Sequence, residues 1–212
     1  YEGPFGVGYT AASFEVTGED KTRNFDEIVN NKEISRCCSL KENEDEYVRL
    51  ARLTLETYIN EGKTIKVPSD ISRELLKNKA GVFVSLKKNK NLRGCIGTII
   101  PTTSNIAQEI IQNAISAGTD DPRFDSVKQS ELDILEYSVD VLGKAEKIKS
   151  SDELDVKKYG VIVSYRGRRG LLLPNLEGVD TVDKQISIAL SKAGIRPNEP
   201  YEMERFEVVR HK

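Results

Sequence analysis

The sequence predicts an α+β fold in which helices pack on a largely antiparallel sheet. Apolar stripes at helical spacing recur along the chain, the strongest being Ile106, Ala107, Ile110, Ile111, Ala114 and Ile115. Pairs of short apolar runs separated by basic, Gly-containing turns read as hairpins. These helices and hairpins alternate without strand–helix–strand regularity, which disfavours a parallel sheet.

Composition sets the outer limits. The chain has 212 residues, 38% hydrophobic and 31% charged, with a net charge of −2, the profile of a soluble globular protein. A chain this long buries roughly 70% of its unfolded surface and needs no disulfide. The near-neutral balance argues against nucleic acid as a partner. No apolar run approaches the roughly 20 residues that span a bilayer, so no membrane partner is expected. Adjacent Cys37 and Cys38 would make a strained bridge and Cys95 has no obvious mate, so a reducing cytoplasm is the simplest setting. The single histidine, His211, excludes a His-rich zinc or iron site. It also excludes a Cys–His pair unless His211 folds back. No metal site and no cofactor are expected within these residues. The start at Tyr1, without signal-peptide character, suggests a piece of a longer protein.

Taken in order, residues 1–16 are rich in Gly and aromatics and end in a short strand, and polar residues 17–43 read as a linker. The compact domain is expected over 44–212. Asn43 with Glu46 has capping-box spacing, and Tyr47, Leu50, Ala51, Thr54 and Tyr58 form the stripe of a helix ended by Gly62. A short helix near Asp70 buries Ile71, Leu75 and Leu76. Val82–Leu86 is a strand, residues 87–94 a loop, and Cys95–Ile100 the hairpin partner, stopped by Pro101. Ser104 caps the strongly patterned helix and Gly118 ends it. Tyr137, Val139 and Val141 alternate with Ser138 and Asp140, giving a strand with one wet face. Gly160–Tyr165, a basic turn over 166–170, and Leu171–Leu173 before Pro174 make a second hairpin. Asp180 or Thr181 opens a last helix closed by Gly194, and Phe206 with Val208 lies on a final strand.

The chemistry centres on Leu92-Arg93-Gly94-Cys95-Ile96-Gly97-Thr98. Gly94 and Gly97 permit close backbone approach, Arg93 suits a carboxylate or phosphate, and positive charge beside Cys95 would lower its thiol pKa. Cys95 is thus the candidate nucleophile, and a small cysteine filling a tight strand position is the structural alternative. Asp121, Arg123 and Phe124 set a carboxylate, a guanidinium and an aromatic on one loop, for a pocket rim or for an internal ion pair. Arg166, Arg168 and Arg169 form a second basic turn beside Lys87, Lys88, Lys90 and Arg93. Lying side by side, these turns would bind phosphates or an acidic partner; solvated hairpin tips are the plainer reading.

These residues carry a resemblance. The blocks Arg49–Arg52, Gly81–Val84, Leu92–Gly97, Asp121–Phe124, Gly170–Pro174 and Lys192–Gly194, in this order, are similar to the AMMECR family. The resemblance implies an α+β domain of two lobes with a cleft at the signature, and no established reaction. Residues 1–16 resemble the closing segment of a Memo-like domain, a relative of class III extradiol dioxygenases. A Memo-like domain ahead of an AMMECR domain is the arrangement of AmmeMemoRadiSam system proteins, which are associated with a radical SAM protein. The resemblance thereby implies a multidomain parent with a Memo-like domain and a radical SAM partner, while the Arg93 side chain points to a small anionic ligand at the signature. Any iron, and any dioxygenase activity, would belong to the parent's upstream domain. A non-catalytic interaction module is the competing class.

Overall fold

The computed structural model describes residues 12–15, 17–18 and 24–212. The chain divides into two compact units, Tyr1–Lys32 and Glu33–Lys212. In the first, the strand expected within 1–16 lies mostly outside the described residues, and Ala12–Glu15 have no regular structure. The stretch read as a linker contains helix α1 (Phe25–Glu42). Its residues give no apolar stripe: Cys37 is the buried one, while Phe25, Ile28 and Val29 are exposed. Within the second unit its C-terminal half is fastened by charge, Arg36 to Glu33 and Glu136, and Lys41 to Glu56 at 2.9 Å. That unit begins at Glu33 rather than at residue 44.

Helix α2 (Glu46–Glu61) is capped by Asp45, two residues past the expected Asn43: the Asp45 carboxylate accepts from the N–H groups of Tyr47 and Val48. It ends at Gly62 as expected. The short helix α3 (Arg73–Lys77) buries Leu75 but leaves Leu76 exposed, since one turn offers one inward position. Strands β1 (Val82–Lys88) and β2 (Asn91–Gly97) form a hairpin whose turn is only Asn89–Lys90, with φ of 51° and 65°. Two left-handed residues match the strand twist, so no long loop is needed. β2 therefore starts earlier than expected and stops at Gly97, before Pro101 can act.

Helix α4 (Ile106–Thr119) is capped by Asn105 rather than Ser104, and Gly118 lies inside its last turn. A Cβ at Gly118 would come within 2.4 Å of Leu55, so this glycine serves the α2–α4 contact instead of termination. The buried Glu109 carboxylate accepts from the hydroxyls of Thr98, Thr102 and Thr103 and from the N–H groups of Thr102 and Thr103, fixing the loop between β2 and α4.

Strands β3 (Leu135–Leu142) and β4 (Glu146–Ile148) follow, then the hairpin of β5 (Gly160–Tyr165) and β6 (Arg168–Leu172), with Arg166–Gly167 as its turn. Helix α5 (Val182–Ala193) is capped by Thr181 and closed by Gly194. The expected single last strand is two, β7 (Glu202–Phe206) and β8 (Val208–His211). They belong to different sheets.

One sheet has the order β2-β1-β3-β8 and the other β4-β7-β5-β6, with every described pairing antiparallel. Helices α2 and α4 cover one face of the first sheet through Leu50, Leu55, Val84, Leu86 and Ile110, and α5 covers the second through Val161, Val163 and Leu190. A smaller cluster, Leu142, Ile162, Leu171 and Phe206 with Phe83, joins the lobes. The chain crosses between sheets at residues 143–145 and at Glu207, where the Gly143 N–H donates to the Glu207 carbonyl at 2.8 Å.

Candidate functional site

Register decides which signature side chains reach solvent. Ser85 pairs with Cys95 on one side and Ser138 on the other, and Phe83 pairs with Gly97 and Asp140, which in turn pairs with Arg210. Directly paired residues share a face. Cys95, Ser85, Ser138, Asp140 and Arg210 therefore lie together on the face turned away from α2 and α4. His211 pairs with Val139 and so lies on the opposite, helix-covered face, stacked on Tyr47 with ring centroids 3.8 Å apart. It cannot serve Cys95 as a base.

The signature residues take separate roles. Gly94 faces α4: a Cβ there would sit 2.1 Å from the Ala117 carbonyl oxygen. A Cβ at Gly97 would sit 2.2 Å from the Phe83 ring. Arg93 turns aside to Glu131, making Nε and Nη2 bonds at 3.0 and 2.9 Å, and gives Nη1 to the Asp125 carbonyl at 2.8 Å. Lys88 joins the same carboxylate at 2.9 Å. These cations hold Glu131 down at about 2 from its ordinary 4.5, the Arg93 hydrogen bonds being the largest cause. Arg93, expected as an anion holder, has its donors engaged within the fold.

The loop carrying Asp121, Arg123 and Phe124 closes the free edge of β2. Asp121 accepts from the Cys95 N–H at 2.8 Å, and Arg123 donates to the Cys95 carbonyl at 3.3 Å and to both oxygens of Asp121. Because both main-chain groups of Cys95 point outward, its pair with Ser85 is the close, non-hydrogen-bonded kind. The Ser85 hydroxyl donates to Sγ at 3.2 Å. Asp121 is buried, and its bonds to Arg123 hold its carboxyl far below the usual range. The Arg123 side chain is 54% exposed, with its guanidinium 5.5 Å from the Phe124 ring. Burial pushes the Cys95 thiol up, outweighing the Ser85 hydrogen bond and the Arg123 charge. At neutral pH it is a thiol, not a thiolate.

Sequence reasoning missed Asp140 and Arg210. The alternation around Asp140 marked a wet face, but only strand pairing shows that Arg210 grips the buried Asp140 carboxylate through Nε and Nη2, at 2.6 and 3.0 Å. Arg123 and Arg210 both act electrostatically on Cys95. The thiol and the hydroxyls of Ser85 and Ser138 thus form a polar row between two guanidiniums, beside the apolar seam where Phe83 and Leu142 meet the second sheet.

Arg166, Arg168 and Arg169 are elsewhere. Arg168 pairs with Glu199 and Arg169 with Glu204, each at 2.7 Å, while the guanidiniums of Arg166 and Arg168 lie 5.1 and 5.4 Å from the Tyr165 ring. Arg169 borders the seam near Gly81 and Ile99, at the start of β1, whereas the Asn89–Lys90 turn is at its end. A seven-residue strand spans about 20 Å, so the two basic turns do not lie side by side. Among the described residues no group of three or more His, Cys, Asp or Glu side chains is arranged to hold a metal, and no helix is long and apolar enough to cross a membrane.

Comparison with known proteins gives a consistent picture. Residues 48–211 match the family described as AMMECR1. Protein CA_C1420 of Clostridium acetobutylicum is 49% identical over 215 residues, covering all of this chain but 45% of its own length. A Thermotoga maritima protein is 49% identical over 171 residues, covering 80% of this chain and 98% of its own. The crystal structure of uncharacterized protein PH0010 from Pyrococcus horikoshii superposes with a TM-score of 0.73 at 33% identity, covering 80% of this chain and 91% of that one. The chain spans less than half the length of the Clostridium relative.

Proposed function

The chain belongs to the AMMECR1 family, and on that premise we propose that its polar row at Cys95 is a binding site for a small anion, acting in a modification or biosynthetic pathway with a Memo-like domain and a radical SAM partner. The observation that carries the binding site is the pair of guanidiniums flanking the row, Arg123 from the β2 edge and Arg210 from β8. Each is held by one carboxylate, so a bound anion would complete a shared charge network. The neutral thiol and the distant histidine favour binding over thiolate catalysis. The greater length of the Clostridium relative supports a parent with a further domain. Iron chemistry, if the parent has it, is assigned to that domain.

Titration calorimetry with inorganic phosphate and with citrate tests the site. Arg123→Gln, which removes an exposed charge-assisted donor, should weaken binding about ten-fold or more. Equal affinity of the variant, or no heat from either anion at millimolar concentration, sinks the proposal. A scaffold reading is favoured only by Arg166, which has no ion-pair partner among the described residues and borders an open depression with Tyr165 and Tyr201. Arg166→Glu would then abolish capture of the radical SAM partner while leaving anion binding intact.

A further inference from the structure

A groove opens where the two lobes meet, at the ends of β1 and β2 remote from the Asn89–Lys90 turn. Its apolar walls come from both lobes: Ile99, Ile100 and Pro101 from the first, Ile162 and Phe206 from the second, with Leu142 beside the crossing. Its volume is about 310 Å³, at the lower end of the roughly 300–1,000 Å³ usual for small-molecule sites. Ile100 is 60% exposed, yet the loop that presents it is firmly held. The Glu109 carboxylate accepts from Thr98 before this segment and from Thr102 and Thr103 after it. A Cβ at Gly81 would sit 2.5 Å from the Ile99 carbonyl oxygen, so the chain entering β1 lies hard against the same loop. Burying a carboxylate is costly, and here it fixes an exposed apolar segment in place. A surface fixed before a ligand arrives loses little conformational entropy on binding.

The charge around the groove has one sign. Its charged residues are Lys79, Lys144 and Arg169, and among the described residues no Asp or Glu lines it. Arg169 is matched by Glu204 at 2.7 Å. Lys79 and Lys144 are exposed and have no ion-pair partner among the described residues. Glu109, behind the loop, spends its bonds inside the fold. We propose that this groove is a second ligand site, for a small carboxylic acid with an apolar body. The body lies along Ile99–Pro101 and Leu142, and the carboxylate faces Lys79 and Lys144. Apolar walls alone would accept a neutral molecule and lysines alone a phosphate; together they select an acid that is apolar elsewhere. Bound there, the ligand touches both lobes, which otherwise share only a small apolar cluster. The site does not depend on the anion site at Cys95: the Phe83–Gly97 pair lies between them, and neither Cys95, Ser85 nor Ser138 lines the groove.

Amide NMR of the whole chain tests this with hexanoate, 1-hexanol and hexylamine, which share a body and differ in charge. Hexanoate should bind best, shifting the amides of Gly81, Ile99, Ile100 and Ala145 but not those of Cys95 and Arg123. Lys79→Gln with Lys144→Gln should fold normally, because the charges it removes are exposed and unpaired, and should weaken hexanoate about five-fold while leaving 1-hexanol unchanged. Ile100→Ser should weaken the acid and the alcohol alike. Equal affinity of either variant and the parent chain for hexanoate overturns the site. So does hexylamine binding as tightly as hexanoate, a shift map centred on Cys95, or the absence of binding at millimolar concentration.

Discussion

Arg93 and Cys95 stand two residues apart and differ in what surrounds them. Arg93 is bound on three sides by Glu131 and the Asp125 carbonyl, whereas Cys95 faces outward, half-buried, with a hydroxyl on its sulfur. Since burial raises the Cys95 pKa, iodoacetamide at neutral pH should label it more slowly than an unfolded control peptide. Labelling as fast as the peptide would restore the nucleophile reading. The carboxylates give a pH dependence of definite sign. Glu131 is held at about 2 against 4.5, and Asp121 is lowered from 3.8. A depressed folded pKa stabilises above the unfolded value, and that contribution is lost as pH falls through the folded one. Urea midpoints should hold steady above about pH 5 and fall between about pH 4.5 and 2, with Glu131→Gln flattening the slope. An unchanged slope in that variant would mean that another group governs acid unfolding.

At the scale of elements, the hairpin of β1 and β2 is held to α4 by the absence of side-chain atoms as much as by their presence. Gly94→Ala would push a methyl to 2.1 Å from the Ala117 carbonyl oxygen, and backbone yields little. A loss of about 2–4 kcal/mol in chemical denaturation is expected, the range of severe overpacking; a change below about 0.5 kcal/mol would show that the helix moves away freely. Such contacts explain what the sequence does and does not disclose. The apolar stripes of α2, α4 and α5 are legible because their period records burial directly. Gly118 reads as a helix stop because its real partner, Leu55, is distant in sequence. Helix α1 is invisible in the pattern because ion pairs, not apolar spacing, fasten it. The same holds at the site: Cys95, Asp121 and Arg123 sit in compact motifs that single them out, while Asp140 and Arg210, seventy residues apart, meet only through strand pairing.

For the whole molecule, two lobes share little apolar surface and are linked by paired crossings at Gly143 and Glu207. Glu207 is the single residue between β7 of one sheet and β8 of the other. The parity of β8 is therefore set by the lobe it does not belong to. Inserting one alanine after Glu207 leaves β7 in place and turns every later side chain over. Val209 would then stand where Arg210 meets Asp140, and His211 would swing to the outer face, level with Ser138. The variant should lose stability, because Asp140 is buried without its cation. It should also bring an imidazole to the face that carries Cys95, a change readable as a new pH dependence, near the imidazole pKa of about 6.5, in thiol labelling. Odd and even positions of a four-residue strand thus decide whether the face that carries Cys95 and Arg123 also carries a second guanidinium or a histidine.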